Sequence, residues 1–127
     1  NFLAWCLFSQ MRNTLGHINN IKCLETNLYS DRLKVAGQVD CIAEYKGELS
    51  VIDFKTSSKE RDDAWNENYY IQACAYAEMF YERTGQKVDK LVILVVTQDG
   101  TVQEFIKDKW EYTKQLKDAL DNWNKRS

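Results

Sequence analysis

Apolar residues along the chain form short clusters in some segments and recur every three or four positions in others. Short apolar-rich segments bounded by turn residues are typical of strands, whereas the longer spacing is typical of amphipathic helices. Ser30-Asp31 and Lys46-Gly47 are turn signals, because glycine and short polar residues permit tight reversals of the chain. The first half of the chain is therefore predicted to hold three consecutive antiparallel strands, over 21–29, 35–45 and 49–55.

Helical spacing flanks these strands and predicts amphipathic helices over 2–19, 64–83 and 108–127. The continuous apolar run at 91–97 predicts a strand buried on both faces. A turn at 98–100 leads into a last strand over 101–106. The order α-β-β-β-α-β-β-α predicts an α/β protein, in which helices flank a mixed β-sheet made of an antiparallel three-stranded meander plus further strands.

Length and charge limit the classes of function. The 127 residues suffice for a single domain, 1–127, and its 17 basic and 19 acidic residues give a net charge of −2. This balance argues against nucleic-acid binding by charge alone, but not against an enzyme that holds nucleic acid through metal ions and a local basic rim. The chain begins with Asn1 and an apolar segment, so we expect a fragment that lacks an upstream segment, or a processed chain.

The cysteines and the apolar runs indicate the compartment. No apolar run approaches the length of a membrane span, and no signal peptide pattern opens the sequence, so we expect no membrane partner. The four cysteines are widely scattered and lack zinc-ligand spacing. We expect buried thiols in a reducing, intracellular compartment. They are Cys6, Cys23, Cys41 and Cys74.

Two opposite charges, Asp53 and Lys55, interrupt the apolar segment VIDFK. Alternate residues of a strand share a face, so these two side chains point one way while Ile52 and Phe54 anchor the other face. An isolated Asp-x-Lys is a common tripeptide and is usually an exposed ion pair. The apolar flanks here predict a mostly buried strand, where a charge is costly unless it is paired or bound to a metal.

Asp40 lies near the middle of the preceding predicted strand. A pairing centred on the Lys46-Gly47 turn places it opposite residues 53–55. Directly opposed like charges destabilise an antiparallel pair, and a divalent cation between the carboxylates removes the conflict. Because Mg²⁺ and Mn²⁺ prefer carboxylate oxygens, Asp40 and Asp53 form a candidate site for either ion.

Two carboxylates, a divalent cation and a lysine are the components of a hydrolytic phosphodiester site. The cation lowers the pKa of a bound water, and Lys55 can orient that water and stabilise the developing negative charge. Glu25 is a candidate third acidic ligand, or else an ordinary strand-surface glutamate. The polar residues after the catalytic strand either bind a phosphate or form a mobile loop. They are Ser57, Ser58 and Lys59.

Four motifs in this order resemble those of the PD-(D/E)xK nuclease superfamily. They are Glu25, Gly37-x-x-Asp40, Ile52-Asp53-Phe54-Lys55-Thr56 and Gln72-x-x-x-Tyr76. The chain is most similar to the RecB-like exonuclease branch, especially the group of the mitochondrial genome maintenance exonuclease and its phage and viral relatives. The likeness is specific over 24–59 and extends to about residue 77.

The resemblance implies a restriction-endonuclease-like core and a role for each motif residue. Lys55 would be the catalytic lysine. Gln72 and Tyr76 would lie near the active site and contact the nucleic acid; they share one helix face, with Tyr69 on the same side. The implied ligands of Mg²⁺ or Mn²⁺ are Asp40, Asp53, the backbone carbonyl of Phe54 and, directly or through water, Glu25.

The sequence departs from the branch in three places. Val39 stands where the superfamily has its proline, a change that the branch tolerates. The branch has a Gly-x-x-x-His motif well upstream, whereas His17 directly follows Gly16; we expect His17 to be an ordinary helix-end residue and the motif to precede Asn1. No cysteine follows Cys74, so we expect no iron–sulfur cluster of the kind that some relatives hold with late cysteines.

These expectations describe a metal-dependent DNA exonuclease that cleaves phosphodiester bonds in single-stranded DNA or at DNA ends. The resemblance implies viral or phage DNA processing, repair or recombination, with the host cytoplasm as its location. A catalytically impaired nucleic-acid-binding module on the same fold is the alternative. The aromatic residues of the terminal helices either pack in the core or contact an upstream domain or another protein chain. They are Trp5, Phe8, Trp110 and Trp123.

Overall fold

A computed structural model describes residues 12–126. The strands are β1 (Ile18–Ser30), β2 (Val35–Tyr45), β3 (Glu48–Ser57), β4 (Lys90–Thr97) and β5 (Val102–Asp108). The helices are α1 (Arg12–Leu15), α2 (Glu67–Thr84) and α3 (Thr113–Arg126). Short 3₁₀ helices, Asp63–Asn66 and Lys109–Glu111, precede α2 and α3.

The five strands form one mixed sheet in the order β1-β2-β3-β4-β5. Neighbouring strands are antiparallel except β3 and β4, which are parallel. A parallel pair needs a crossover connection, and α2 supplies it. The predicted fold class is therefore confirmed: an antiparallel meander of three strands, two further strands and flanking helices.

The central strand β4 is buried along its length, as its continuous apolar sequence predicted. Residues 91–97 are all buried, because apolar layers cover both faces of the strand. On one face, Ile93 and Val95 pack in the cluster that includes the small residues Ala73 and Ala77 of α2. Small side chains let the helix lie close to the sheet, which brings α2 within reach of the residues on β2 and β3.

The ends of α2 follow from local chemistry. Asp62 caps the 3₁₀ helix, since its Oδ1 accepts a hydrogen bond of 3.0 Å from the backbone N–H of Ala64. At the other end Gly85 adopts φ 76°, a left-handed conformation that glycine takes without steric cost. Its N–H donates to the Tyr81 carbonyl over 2.8 Å. Both ends agree with the sequence-based boundaries to within a few residues.

The start of the chain differs from its prediction. Residues 2–11 of the predicted first helix lie outside the described residues, and α1 covers only Arg12–Leu15. The prediction that residues 16–19 continue the helix is wrong, because β1 begins at Ile18, which pairs with Tyr45. His17 follows α1, and its ring packs edge-on against Tyr45 with centroids 5.9 Å apart.

Three of the four predicted buried thiols are confirmed: Cys23, Cys41 and Cys74 are buried and free, whereas Cys6 lies outside the described residues. Trp110, which was predicted in the last helix, lies in the 3₁₀ helix before α3 and is 64% exposed. Trp5, Phe8 and the Trp123 side chain lie outside the described part of the chain. Over residues 12–126, no helix has the length and apolar character needed to cross a membrane.

Candidate active site

The strands that carry Asp40 and Asp53 separate at these two residues. The β2–β3 ladder ends with the pair Cys41 and Ile52. Beyond that pair, β2 continues against β1 alone and β3 continues against β4 alone. The register is the one predicted from the Lys46-Gly47 turn, and it sets Asp40 across from Asp53. We call this opening, with Asp40 on one side and Asp53 and Lys55 on the other, the strand fork.

Hydrogen bonds and an ion pair fix the side chains of the strand fork. The Phe54 backbone N–H donates to Asp40 Oδ2 over 3.0 Å, which joins β2 to β3 after the ladder has ended. Lys55 Nζ lies 3.1 Å from Asp53 Oδ2, so the two charges on one face of β3 are paired. Asp53 is largely buried, with 16% of its side chain exposed. The structure thus brings Asp40, Asp53 and Lys55 together.

Asp53 has a strongly perturbed acidity. Burial, together with the adjacent Asp40 carboxyl group, raises the pKa of Asp53 to about 7, against the opposing effect of Lys55. Two adjacent carboxylates in a poorly solvated place cannot both ionise without cost. A strongly perturbed carboxyl group is typical of functional sites.

Helix α2 forms one wall of the strand fork. Gln72 Nε2 donates to the Tyr76 hydroxyl over 3.3 Å, and both residues line a narrow cleft with Asp40 and Asp53. Burial, followed by the nearby Asp53 carboxylate, raises the pKa of the Tyr76 hydroxyl, which therefore stays protonated at neutral pH. Gln72 and Tyr76 thus place an amide and a hydroxyl group in the same cleft as the carboxylates. The structure brings these two predicted residues to the fork.

Lys55 also contacts an aromatic residue of α2. Its ammonium lies 4.6 Å from the centre of the Tyr69 ring, and the guanidinium of Arg61 lies 5.1 Å from the same ring. Helical spacing predicts Tyr69 beside Gln72 but does not predict Arg61 at the site. Arg61 lies before the helix begins at Glu67, so no helical spacing links it to Tyr69.

Glu25 lies across from Asp40 in β1, between the pairs Leu24–Cys41 and Thr26–Val39. Its side chain is exposed, and its backbone has φ 47°, a left-handed conformation that is uncommon for glutamate. The Glu25 carbonyl accepts a hydrogen bond from Gln38 Nε2 over 3.1 Å. The structure therefore places Glu25 on the strand next to the fork without bringing its carboxylate to the other two.

The three polar residues predicted to bind a phosphate lie at and just beyond the end of β3. The Ser57 hydroxyl donates to the Lys59 carbonyl over 2.6 Å, and the Ser57 carbonyl accepts from the Gln98 N–H over 3.2 Å. Ser58 and Lys59 are exposed. Their side chains remain available to a ligand, whereas the Ser57 hydroxyl is engaged in fixing the turn.

The donor set of the strand fork fits a hard divalent cation. Within residues 12–126, no three His, Cys, Asp or Glu side chains lie close enough together to hold an ion. The pair Asp40 and Asp53 offers carboxylate oxygens, which Mg²⁺ and Mn²⁺ prefer, and such ions retain several waters when few protein ligands are present. In a strand, the N–H and C=O of one residue point to the same side. The Phe54 carbonyl is therefore expected beside Asp40, as its N–H is.

A family assignment agrees with this fold and site. The model of the PD-(D/E)XK nuclease superfamily matches residues 8–126. The chain therefore belongs to the PD-(D/E)XK nuclease superfamily, as its four motifs predicted. Its fold resembles the crystal structure of a putative exonuclease from Eubacterium rectale, with a TM-score of 0.55 at 14% identity, over 94% of this chain and 52% of the other.

Curated relatives come from two groups of nucleases. Mitochondrial genome maintenance exonuclease 1 is 41% identical over 51 residues in Mus musculus (40% of this chain, 15% of the relative). In Xenopus tropicalis it is 32% identical over 96 residues (73% and 28%). An ATP-dependent helicase/nuclease of Clostridium beijerinckii is 35% identical over 65 residues (49% and 5%). The matches thus span less than a third of each relative.

Proposed function

We propose that this chain is a Mg²⁺- or Mn²⁺-dependent exonuclease domain that hydrolyses phosphodiester bonds of DNA. The observation that carries this proposal is the strand fork: two adjacent carboxylates, one with its pKa raised to about 7, and a lysine 3.1 Å from it. Membership of a nuclease superfamily supports the proposal. The names of its relatives support it too, because one group is called exonuclease and the other helicase/nuclease.

Asp40, Asp53 and the Phe54 carbonyl would hold the cation, with Glu25 acting through water because its carboxylate is not gathered with the other two. When bound, the cation neutralises charge on the phosphate and activates a water molecule. Lys55 orients that water, and its positive charge stabilises the negative charge that develops on the phosphate oxygens. Gln72 and Tyr76 donate hydrogen bonds to the substrate strand and hold the phosphate over the carboxylates.

The substrate is proposed to be single-stranded DNA or a DNA end, since the curated relatives include a genome-maintenance exonuclease. Ser58 and Lys59 are exposed at the end of β3 and would bind a phosphate of the same strand. Processing, repair or recombination of viral or phage DNA is the proposed setting. A catalytically impaired DNA-binding module is the second candidate, because the Glu25 carboxylate is not gathered with Asp40 and Asp53.

Three labelled substrates test the proposal: linear single-stranded DNA, linear duplex DNA and circular single-stranded DNA. Each is incubated with Mg²⁺, Mn²⁺ or chelator. We expect metal-dependent release of nucleotides from linear strands, and no cutting of the circle, which has no end. Cutting of the circle would contradict exonuclease action. Binding of all three substrates without cleavage under any condition would favour the DNA-binding module.

A further inference from the structure

The loop between β3 and α2 is fixed at Arg61 by a residue from the far edge of the sheet. The backbone N–H of Arg61 donates to Gln103 Oε1 over 2.7 Å. In return, Gln103 Nε2 donates to the Arg61 carbonyl over 3.0 Å. Gln103 thus satisfies both backbone hydrogen-bonding groups of Arg61. The backbone of Arg61 is therefore held in a fixed position beside the strand fork.

The Arg61 side chain is also held in place. Its Nε donates to Oδ1 of the fully buried Asn66 over 2.9 Å, and its Nη2 donates to the Trp65 carbonyl over 3.0 Å. These partners are neutral. Seven other cations pair with carboxylates within 4.0 Å, whereas Arg61 pairs with no carboxylate of residues 12–126. The seven are Arg32, Lys46, Lys55, Arg83, Lys90, Lys107 and Lys109.

An oriented guanidinium without an acidic partner is suited to bind phosphate. The position of Arg61 also fits the substrate path, because Arg61 and Lys55 approach the same Tyr69 ring, at 5.1 Å and 4.6 Å. Lys55 pairs with Asp53 in the strand fork. A phosphate at Arg61 would therefore belong to a nucleotide adjacent to the one held at the fork.

Trp65 supplies a surface for the base of that nucleotide. It is 60% exposed, and its carbonyl is the one that binds Arg61. Trp65 precedes Tyr69 by four residues, and the face of α2 that carries Tyr69 continues through Gln72 to Tyr76 at the fork. A large exposed aromatic ring beside a phosphate-binding cation is the combination that single-strand binding proteins use, because every base can stack on it.

We propose that Arg61 and Trp65 form a nucleotide subsite next to the strand fork, where Arg61 binds a phosphate and Trp65 stacks on an unpaired base. This subsite rests on the proposed function and narrows it to a strand whose bases are unpaired beside the cleaved bond. A paired base is already stacked between its neighbours and hydrogen-bonded to its partner, so it cannot offer a free face to Trp65.

The stacking part is tested by binding of labelled oligothymidylate of about 12 nucleotides in chelator, with one abasic site moved along the strand. In the wild type, we expect one position at which the missing base weakens binding roughly 5- to 100-fold. Trp65→Ala should abolish that dependence on position, and Trp65→Phe should keep most of it. An unchanged dependence in Trp65→Ala would overturn the stacking role.

The phosphate part is tested by the salt dependence of the same binding. Arg61→Gln should reduce the slope of log K against log salt by about 0.7, the value for one lost phosphate contact to a single strand. Arg61→Lys keeps the charge and should keep the slope. This readout separates phosphate binding from the structural role of Arg61, since a loosened loop alone does not remove a counterion-releasing charge. An unchanged slope in Arg61→Gln would overturn the assignment.

Trp110→Ala is the matched control, because Trp110 is also exposed, at 64%. Its ring contacts Lys109, whose ammonium binds Glu78, and Glu78 lies about 20 Å along the helix from Trp65. This variant should bind every oligonucleotide as the wild type does, and thermal unfolding of each variant shows that it is folded.

The two levels of the proposal fail in different ways. If the wild type degrades DNA with Mg²⁺ but Trp65→Ala and Arg61→Gln bind as it does, the subsite is wrong and the nuclease function stands. If the wild type shows both the abasic position and the salt effect but never cleaves, the subsite stands and the nuclease function is wrong. If the wild type neither binds nor cleaves, both are wrong.

Discussion

Gly37 of β2 lies against the Tyr76 ring of α2 so closely that a Cβ on residue 37 would stand 2.9 Å from the Tyr76 hydroxyl oxygen and 3.1 Å from a ring carbon. Gly37 precedes Asp40 by three residues, and Tyr76 lies near Asp53. The absence of a side chain at residue 37 thus sets how closely α2 approaches the strand fork.

Gly37→Ala is expected to lower the free energy of unfolding by about 1–3 kcal/mol, since either Tyr76 or α2 must move. Cleavage should fall as Tyr76 leaves the fork. Tyr76→Phe removes the oxygen that the new methyl group would strike, so the double variant should lose less stability than the two single losses combined. Urea unfolding of the wild type, the two single variants and the double variant measures this coupling. A double variant that loses the sum of the two single losses would contradict it.

The raised pKa of Asp53 predicts how stability depends on pH without metal. The folded chain holds a proton on Asp53 up to about pH 7, whereas the unfolded chain releases it near the ordinary value of 3.8. The stability that this proton contributes is therefore complete below the unfolded pKa and is lost as the pH rises through about 7. In chelator, the melting temperature of the wild type should fall relative to that of Asp53→Asn as the pH is raised across this range.

Mg²⁺ should reverse this loss. At a pH above 7, added Mg²⁺ is expected to raise the melting temperature of the wild type, because it binds the folded chain alone. Asp53→Asn should show little increase. An equal rise in melting temperature for both proteins would mean that the ion binds elsewhere. A difference in melting temperature between them that does not change with pH would contradict the raised pKa of Asp53.

Glu25 combines an exposed carboxylate with a strained backbone at φ 47°. The left-handed conformation costs a residue with a side chain on the order of 1 kcal/mol, which glycine avoids. Glu25→Gly should therefore unfold at equal or higher denaturant concentration while losing cleavage activity. Such a gain of stability with a loss of activity is expected where strain serves function.

Lys34 provides the matched control, because it has φ 57° in the turn between β1 and β2, away from the fork. Lys34→Gly should show the same effect on stability with unchanged cleavage. If Glu25→Gly cleaves as well as Lys34→Gly does, Glu25 has no part in the site and its conformation is only a feature of the strand.

Much of the sheet could be predicted because its determinants are local. The Lys46-Gly47 turn fixes the β2–β3 register, and that register places Asp40 across from Asp53 without further information. The run at 91–97 is apolar up to its last residue, Thr97, so a strand buried on both faces was the simplest interpretation. The alternation of side chains along β3 put Asp53 and Lys55 on one face, where they form an ion pair.

The parts that sequence reasoning missed depend on contacts between distant residues. Ile18 belongs to β1 because it pairs with Tyr45, although its spacing alone suits a helix. Arg61 is fixed by Gln103, 42 residues away, and no local pattern announces that contact. The left-handed backbone at Glu25 lies within a stretch of regular β1–β2 register, and no turn sequence marks it.

The most direct test of the strand fork is cleavage of end-labelled single-stranded DNA in Mg²⁺ by the wild type, Asp53→Asn and Lys55→Ala. Asp53→Asn keeps the size of the side chain and removes the charge, and Lys55→Ala removes the ammonium that lies 3.1 Å from Asp53. We predict metal-dependent degradation by the wild type and a loss of about 100-fold or more in each variant, in line with the effect of removing one catalytic group. Degradation at the wild-type rate by either variant, with both still folded, would contradict the assignment of Asp53 and Lys55 to the active site.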